Sequence, residues 1–355
     1  SYSGTITASG TAITSKFANF APNLTLTNGA NLKATNLTLN TNSKLNLSEN
    51  SSATIDNLIF KGVSDLNKIT LNNSTFEVKE SFTFDNSTFD LSNLSNTKTG
   101  LTLPTEYNLY AFNSSNITAA TFTNSNANAE FMLDNSTFKA TSASFKSAEL
   151  TLKNGAQFSA NSLNFTENST LVLNDKATLT LQNNLQTQSL NLNLLNSSTL
   201  NANSLTSTGA STINLNDKAE LTLTEILTSK DLTLTLENES KFTAKTLTAS
   251  GVVKLQGDKN ATLTLDTLNL NNGNATLNAN GSITNLNLNN VKETAIGENV
   301  SITTLKLTDS TANLELLNGQ IPKTIDLKTN STLRLNELNL NEFNTKGLTL
   351  TSDTT

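Results

Sequence analysis

The sequence predicts an all-β chain wound as a parallel β-helix, or β-solenoid, with three short strands in each coil of about 18–21 residues. Three observations carry that expectation: apolar columns that recur every 21 residues, strict alternation of apolar and polar residues inside each unit, and Asn or Asp returning at the same turn. The first strand of the coil is Leu150-Thr-Leu152, which recurs as Leu171-Val-Leu173, Leu192-Asn-Leu194, Ile213-Asn-Leu215 and Leu234-Thr-Leu236. The turn after it carries Asn154, Asp175, Asn196, Asp217 and Asn238, again 21 apart. Asn and Asp tolerate left-handed backbone and bond their own main chain, so a sharp corner selects them. Stacked amides can also hydrogen-bond from coil to coil.

The second strand follows as Phe158, Leu179, Leu200, Leu221, Phe242 and Leu263. Two residues on lie Ala160, Leu181, Ala202, Leu223, Ala244 and Leu265, where small and large side chains alternate and can interdigitate. A third strand reads Leu163, Leu205, Ile226, Leu247 and Leu268, with Asn184 breaking the column beside Leu185. Period-two alternation means strand, and no stretch has the period that a leucine-rich solenoid needs for its convex helix. Elsewhere the period drifts. Leu24/Leu26 recur 13 residues on as Leu37/Leu39, and Ile69/Leu71/Phe76/Val78 recur 13 on as Phe82/Phe84/Phe89/Leu91, which fits similar strand–turn units on different sides of a coil. The whole chain should make about 17 coils at roughly 20 residues each.

Composition excludes much chemistry. The chain has 355 residues, no His, no Cys and no Trp, so it has no His-dependent triad, no thiol nucleophile, no disulfide and no ordinary zinc site. We expect no metal and no cofactor. A net charge of -6 argues against nucleic acid as a partner. No apolar run approaches the roughly 20 residues of a membrane helix. Asp175 and Asp217 sit two coils apart, but the corner explains both, and no residue is assigned a catalytic role.

The binding candidates lie on outward positions. Ser159, Thr180, Asn201, Thr222, Thr243 and Thr264 form a ladder of hydroxyls and one amide, which reads as a solvated strand face or as an uncharged docking surface. Residues 100–130 read as an irregular insertion holding Pro104, Tyr107 and Tyr110, either a contact loop or one packed back on the coils. Asp258-Lys-Asn260-Ala-Thr262 is an Asn-x-Thr site with an acid two residues before the Asn, in a turn two residues longer than its equivalents, and makes Asn260 a glycosylation candidate.

The coils Leu24-Thr-Leu-Thr-Asn-Gly29 and Leu150-Thr-Leu-Lys-Asn-Gly155 resemble type V secretion autotransporter passengers. The Asn-Ser-Thr-Phe repeats at 73–76, 86–89 and 135–138 are similar to those of epsilonproteobacterial vacuolating-cytotoxin-like autotransporters. The resemblance spans essentially residues 1–355 and implies one elongated, right-handed β-helical passenger fragment without its C-terminal translocator barrel. It further implies a cell-surface, outer-membrane or secreted location, and an adhesin or virulence function. The partners would be a host-cell receptor or glycan, or neighbouring copies of the chain. The alternatives are a stalk that presents a distal domain and, more remotely, a carbohydrate-active β-helix enzyme.

Overall fold

The structure, a computed structural model, describes residues 6–9, 12–15, 23–63, 69–91, 101–102, 107–315, 321–336 and 349–352. These residues contain no helix, and their strand pairings are parallel. They form a β-solenoid of about 14 turns with about three strands per coil. The chain divides into two compact units, Ser1–Thr166 and Glu167–Thr355.

The second unit shows the coil most plainly. Leu190–Leu194 is the first strand, residues 195–198 turn the corner, and Thr199–Ser207 is one long strand bent at Asn203 whose halves are the second and third strands. Ala210–Leu215 then begins the next coil, with Leu192 opposite Ile213 and Leu194 opposite Leu215. Inward Leu side chains are fully buried on all three sides, each worth about 1.5–3 kcal/mol relative to exposure. Ala202 and Ala244 face the larger Leu223 of the coil between them, as the alternation of sizes requires.

The third-strand column needs one correction. Leu227, not Ile226, pairs with Leu205 and Leu247, because a bulge lengthens the chain by one residue between Leu223 and Ile226. Leu227 is buried and Ile226 is not. Leu185 likewise pairs with Leu205, so Asn184 is no defect; it stands beside the true core position.

In the first unit the 13-residue steps do join different sides of a coil. Asn23–Thr27 pairs with Lys44–Ser48 in one sheet, whereas Leu37 and Leu39 pair with Leu58 and Phe60 in another. Between Asn73 and Ser115 the plan rotates. The long strand Thr75–Asp85 pairs its first half with Leu101–Thr102 and its second with Asn108–Phe112, so one strand becomes two in the following coil. From Asn116–Asn124 onward the bent strand is the one whose first half stacks on Thr88–Asp90. Asn73 and Asn86, the two Asn-Ser-Thr-Phe corners flanking this change, both have positive φ.

The expected irregular insertion at 100–130 is therefore mostly regular. Asn108–Phe112, Asn116–Asn124 and Ala129–Asp134 all lie in parallel register with their neighbours. The alternation was obscured because Ala111 and Ala129 take inward positions elsewhere held by Leu or Phe. Pro104 lies outside the described residues.

Candidate binding surfaces

The corners come first, since they set every strand. Fifteen of the 22 non-Gly residues with positive φ among the described residues are Asn or Asp, the types that bear this conformation at least cost. Asn154, Asp175, Asn196, Asp217 and Asn238 all lie there, with φ between 51° and 54°. The side chains of Asn154, Asp175, Asn196 and Asn238 bond within the stack. Asn196 Nδ2 donates to Asp175 Oδ1 at 3.0 Å and Asn174 Oδ1 at 2.8 Å, and Asn238 Nδ2 donates to Asn216 Oδ1 at 2.8 Å. Main-chain bonds run alongside, Ser197 N–H to Asp217 O and Lys218 N–H to Asn238 O. Asp175 thus accepts from corner amides, and nothing aims it at Asp217. Beneath each corner sits a buried Ala or Ser, in the order Ala177, Ser198, Ala219, Ser240, Ala261.

The outward ladder is continuous. Thr180 pairs with Asn201, Asn201 with Thr222, Thr222 with Thr243 and Thr243 with Thr264, and the column goes on through Ser282 and Ser301. Ser159, in the first unit, stands opposite Lys139. The surroundings are less neutral than the column itself. Lys241 Nζ lies 2.8 Å from Glu220 Oε1 on one side of Thr222 and Thr243, and Lys245 Nζ lies 3.1 Å from Glu225 Oε2 on the other. The Glu220 carboxylate holds the Lys241 ammonium above its ordinary value.

Asn260 is exposed at the corner one coil after Asn238. The turn is not longer than its equivalents, because Gly257 pairs with Leu236 and takes the core position, leaving the same four-residue corner. The corner does differ in kind: neither Lys259 nor Asn260 has positive φ. Asp258 organises it instead, accepting the N–H of Asn238 at 2.7 Å, of Asn260 at 2.8 Å and of Ala261 at 2.9 Å. Those donors hold the Asp258 carboxyl below its usual range. The Asn260 side-chain amide makes no hydrogen bond among the described residues.

The two tyrosines separate. Tyr107 turns inward, its ring edge-on to Phe82 at 5.3 Å and to Phe122 at 6.0 Å, and burial pushes its hydroxyl far above the ordinary value. Tyr110 points out from Asn108–Phe112, parallel to Phe112 within 5° at 6.4 Å, and its hydroxyl donates to Glu130 Oε2 at 2.6 Å. Burial first, and Glu130 second, push Tyr110 up to about 12.

Sequence reasoning missed what surrounds Tyr110. Thr83, Tyr110, Met132 and Thr151 form one outward column, with Ile59 opposite Thr83. Phe112 stands opposite Asp85 in the next, and Glu130 stands directly opposite Glu149 on the other flank. Aligning Leu133 with Leu152, a 19-residue step, would have exposed this register. Arg334 points outward and donates to Asn313 Oδ1. Among the described residues no group of three acidic side chains could hold a metal ion.

No family model matches the chain, and neither a curated protein nor a solved structure matches it.

Proposed function

We propose that the chain is a non-catalytic adhesive passenger of the autotransporter kind. It would be exported by a C-terminal translocator barrel and work at the bacterial cell surface. The supporting observation is the column Thr180–Asn201–Thr222–Thr243–Thr264, which repeats one polar contact in continuous cross-strand register. A surface of that kind binds by many weak contacts at once, so avidity replaces a single pocket. The partner is a neighbouring copy, or a receptor or glycan on a host cell. A second reading, a stalk presenting a distal domain, draws support from corner amides that are satisfied within the stack.

Sedimentation velocity over a wide concentration range, on the wild type and on Thr222→Lys, tests the first arm. Association that Thr222→Lys abolishes supports self-recognition at the column. A strict monomer overturns it and leaves the foreign partner. Failure of bead-coupled protein to bind cell surfaces would then overturn adhesion and favour the stalk.

A further inference from the structure

Charged side chains placed directly opposite one another on neighbouring strands are informative here, because charges are sparse. Among the described residues, and within either unit, five in-register pairs bring charge against charge. Four are of opposite sign: Lys61–Asp85, Asp134–Lys153, Glu220–Lys241 and Lys306–Asp326. The fifth, Glu130–Glu149, is acid on acid. Like charges in this position destabilise a sheet. Both residues are exposed, and among the described residues neither carboxylate is in an ion pair; Glu130 accepts the Tyr110 hydroxyl, and the Glu149 carboxylate has no hydrogen-bond partner there.

The same face carries the outward apolar residues Tyr110, Phe112 and Met132, on strands whose other outward positions are almost all polar. The acid pair and the aromatic–thioether patch are contiguous, since Glu130 and Met132 are outward neighbours on Ala129–Asp134 and Glu130 is bonded to Tyr110. Such a face suits a group that is cationic at its tip and apolar along its stem. Lys and Arg side chains have that form, with methylenes to cover Met132 and a head to sit over the rings and between the carboxylates.

We propose that this face docks a basic protein segment, whose Lys or Arg side chains lie across Tyr110, Phe112 and Met132 and neutralise the Glu130–Glu149 pair. The occupant is a foreign polypeptide and not a second copy: the chain carries 29 acidic against 23 basic residues, so self-docking at an acidic face is disfavoured. This names a partner class for the adhesive reading and depends on that reading only for its biological setting. Its test does not involve the threonine column, so either can fail alone.

Met132 is the only Met in the chain, so a sample labelled with 13C at the methionine methyl gives one resonance at the centre of the face. Titration with hexa-arginine or hexa-lysine should move that resonance saturably, whereas hexa-glutamate should leave it in place. Glu149→Gln and Tyr110→Ala should each weaken binding about twofold to fivefold, the scale of an exposed ion pair or cation–π contact. Added salt should weaken it further. Glu149→Gln should also raise the melting temperature of the free protein at low salt, because it removes the like-charge contact. No shift with either cationic peptide would overturn the proposal. So would a shift that both variants leave unchanged, or a melting temperature that falls in Glu149→Gln.

Discussion

The coils over residues 107–166 and those over residues 190–249 follow the same three-strand plan, yet they fill it with different side chains. The first group is built around Phe122, Phe131, Phe138, Phe145, Phe158 and Phe165, with Ala119, Ala140, Ala143 and Ala160 making room. Phe131 meets Phe138 edge-on at 5.0 Å, and Phe138 stacks on Phe158 at 4.9 Å. The second group uses Leu almost throughout, with Phe242 its one core aromatic. The same coil is thus filled in two ways, by Phe set among Ala in the first group and mostly by Leu in the second, where Ala202 and Ala244 flank Leu223. What the two groups share is the corner, which shows that the backbone turn defines the coil and the core adapts to it.

Breaking the aromatic cluster should have the largest effect. Phe131→Ala removes a ring that touches Phe122, Phe138, Phe145 and Phe158, and should cost about 3–5 kcal/mol. Leu192→Ala should cost about 2–5 kcal/mol, towards the lower end because no aromatic contacts go with it. Urea unfolding of both variants measures the difference. A larger loss in Leu192→Ala would mean that the Phe side chains only fill space.

The corners should come next. Asn196→Ala forces an ordinary residue into left-handed backbone and removes the bonds to Asn174 and Asp175, a loss of about 1–2 kcal/mol. Asn196→Gly relieves the backbone and should recover most of it. Asn260→Ala, at a corner without positive φ, should change the melting temperature little. If Asn196→Ala and Asn260→Ala behave alike in thermal unfolding, the left-handed corner is not what defines the coil.

The buried serines beneath those corners refine the same contrast. Ser198 Oγ donates to Leu173 O at 3.0 Å and accepts the Leu195 N–H at 2.9 Å, whereas Ser240 Oγ is buried with no partner. Ser198→Ala should therefore lose about 1 kcal/mol, and Ser240→Ala should be neutral or gain up to about 1 kcal/mol. Ala already fills the equivalent place at 177, 219 and 261. Differential scanning calorimetry resolves shifts of that size, and opposite signs are the expected result.

The sequence made the solenoid, its inward columns and its left-handed corners legible, because each rests on a local rule repeated at a fixed step. Legibility failed wherever the step changed. The bulge before Ile226 moved the core position to Leu227, and Gly257 in a core column made the corner at Asn260 look two residues longer than it is. The rotation of the plan between Asn73 and Ser115 hid the strands near Tyr110 behind an apparent insertion. Which charges face each other depends on cross-strand register, so the Glu130–Glu149 pair emerged only when 19-residue and 21-residue steps were laid side by side in space. The Thr column kept its step and was readable, but its flanking ion pairs, Glu220–Lys241 and Glu225–Lys245, lay outside the column being read.

The finest distinction between the two groups of coils is electrostatic, and Tyr110 reports it. Its hydroxyl is raised from 10.0 to about 12, by burial first and by the hydrogen bond and charge of Glu130 next. The folded chain therefore holds this proton more tightly than the unfolded chain does. The resulting stability is whole below pH 10 and is lost as pH rises through about 12. In a Tyr2→Phe, Tyr107→Phe background, absorbance at 295 nm follows Tyr110 alone. Adding Glu130→Gln should bring its midpoint only partway back, since the burial of the ring remains. A full return to 10 would make Glu130 the whole cause and the aromatic face open to water. No movement would mean that the carboxylate is not engaged with the hydroxyl in solution and stands free beside Glu149.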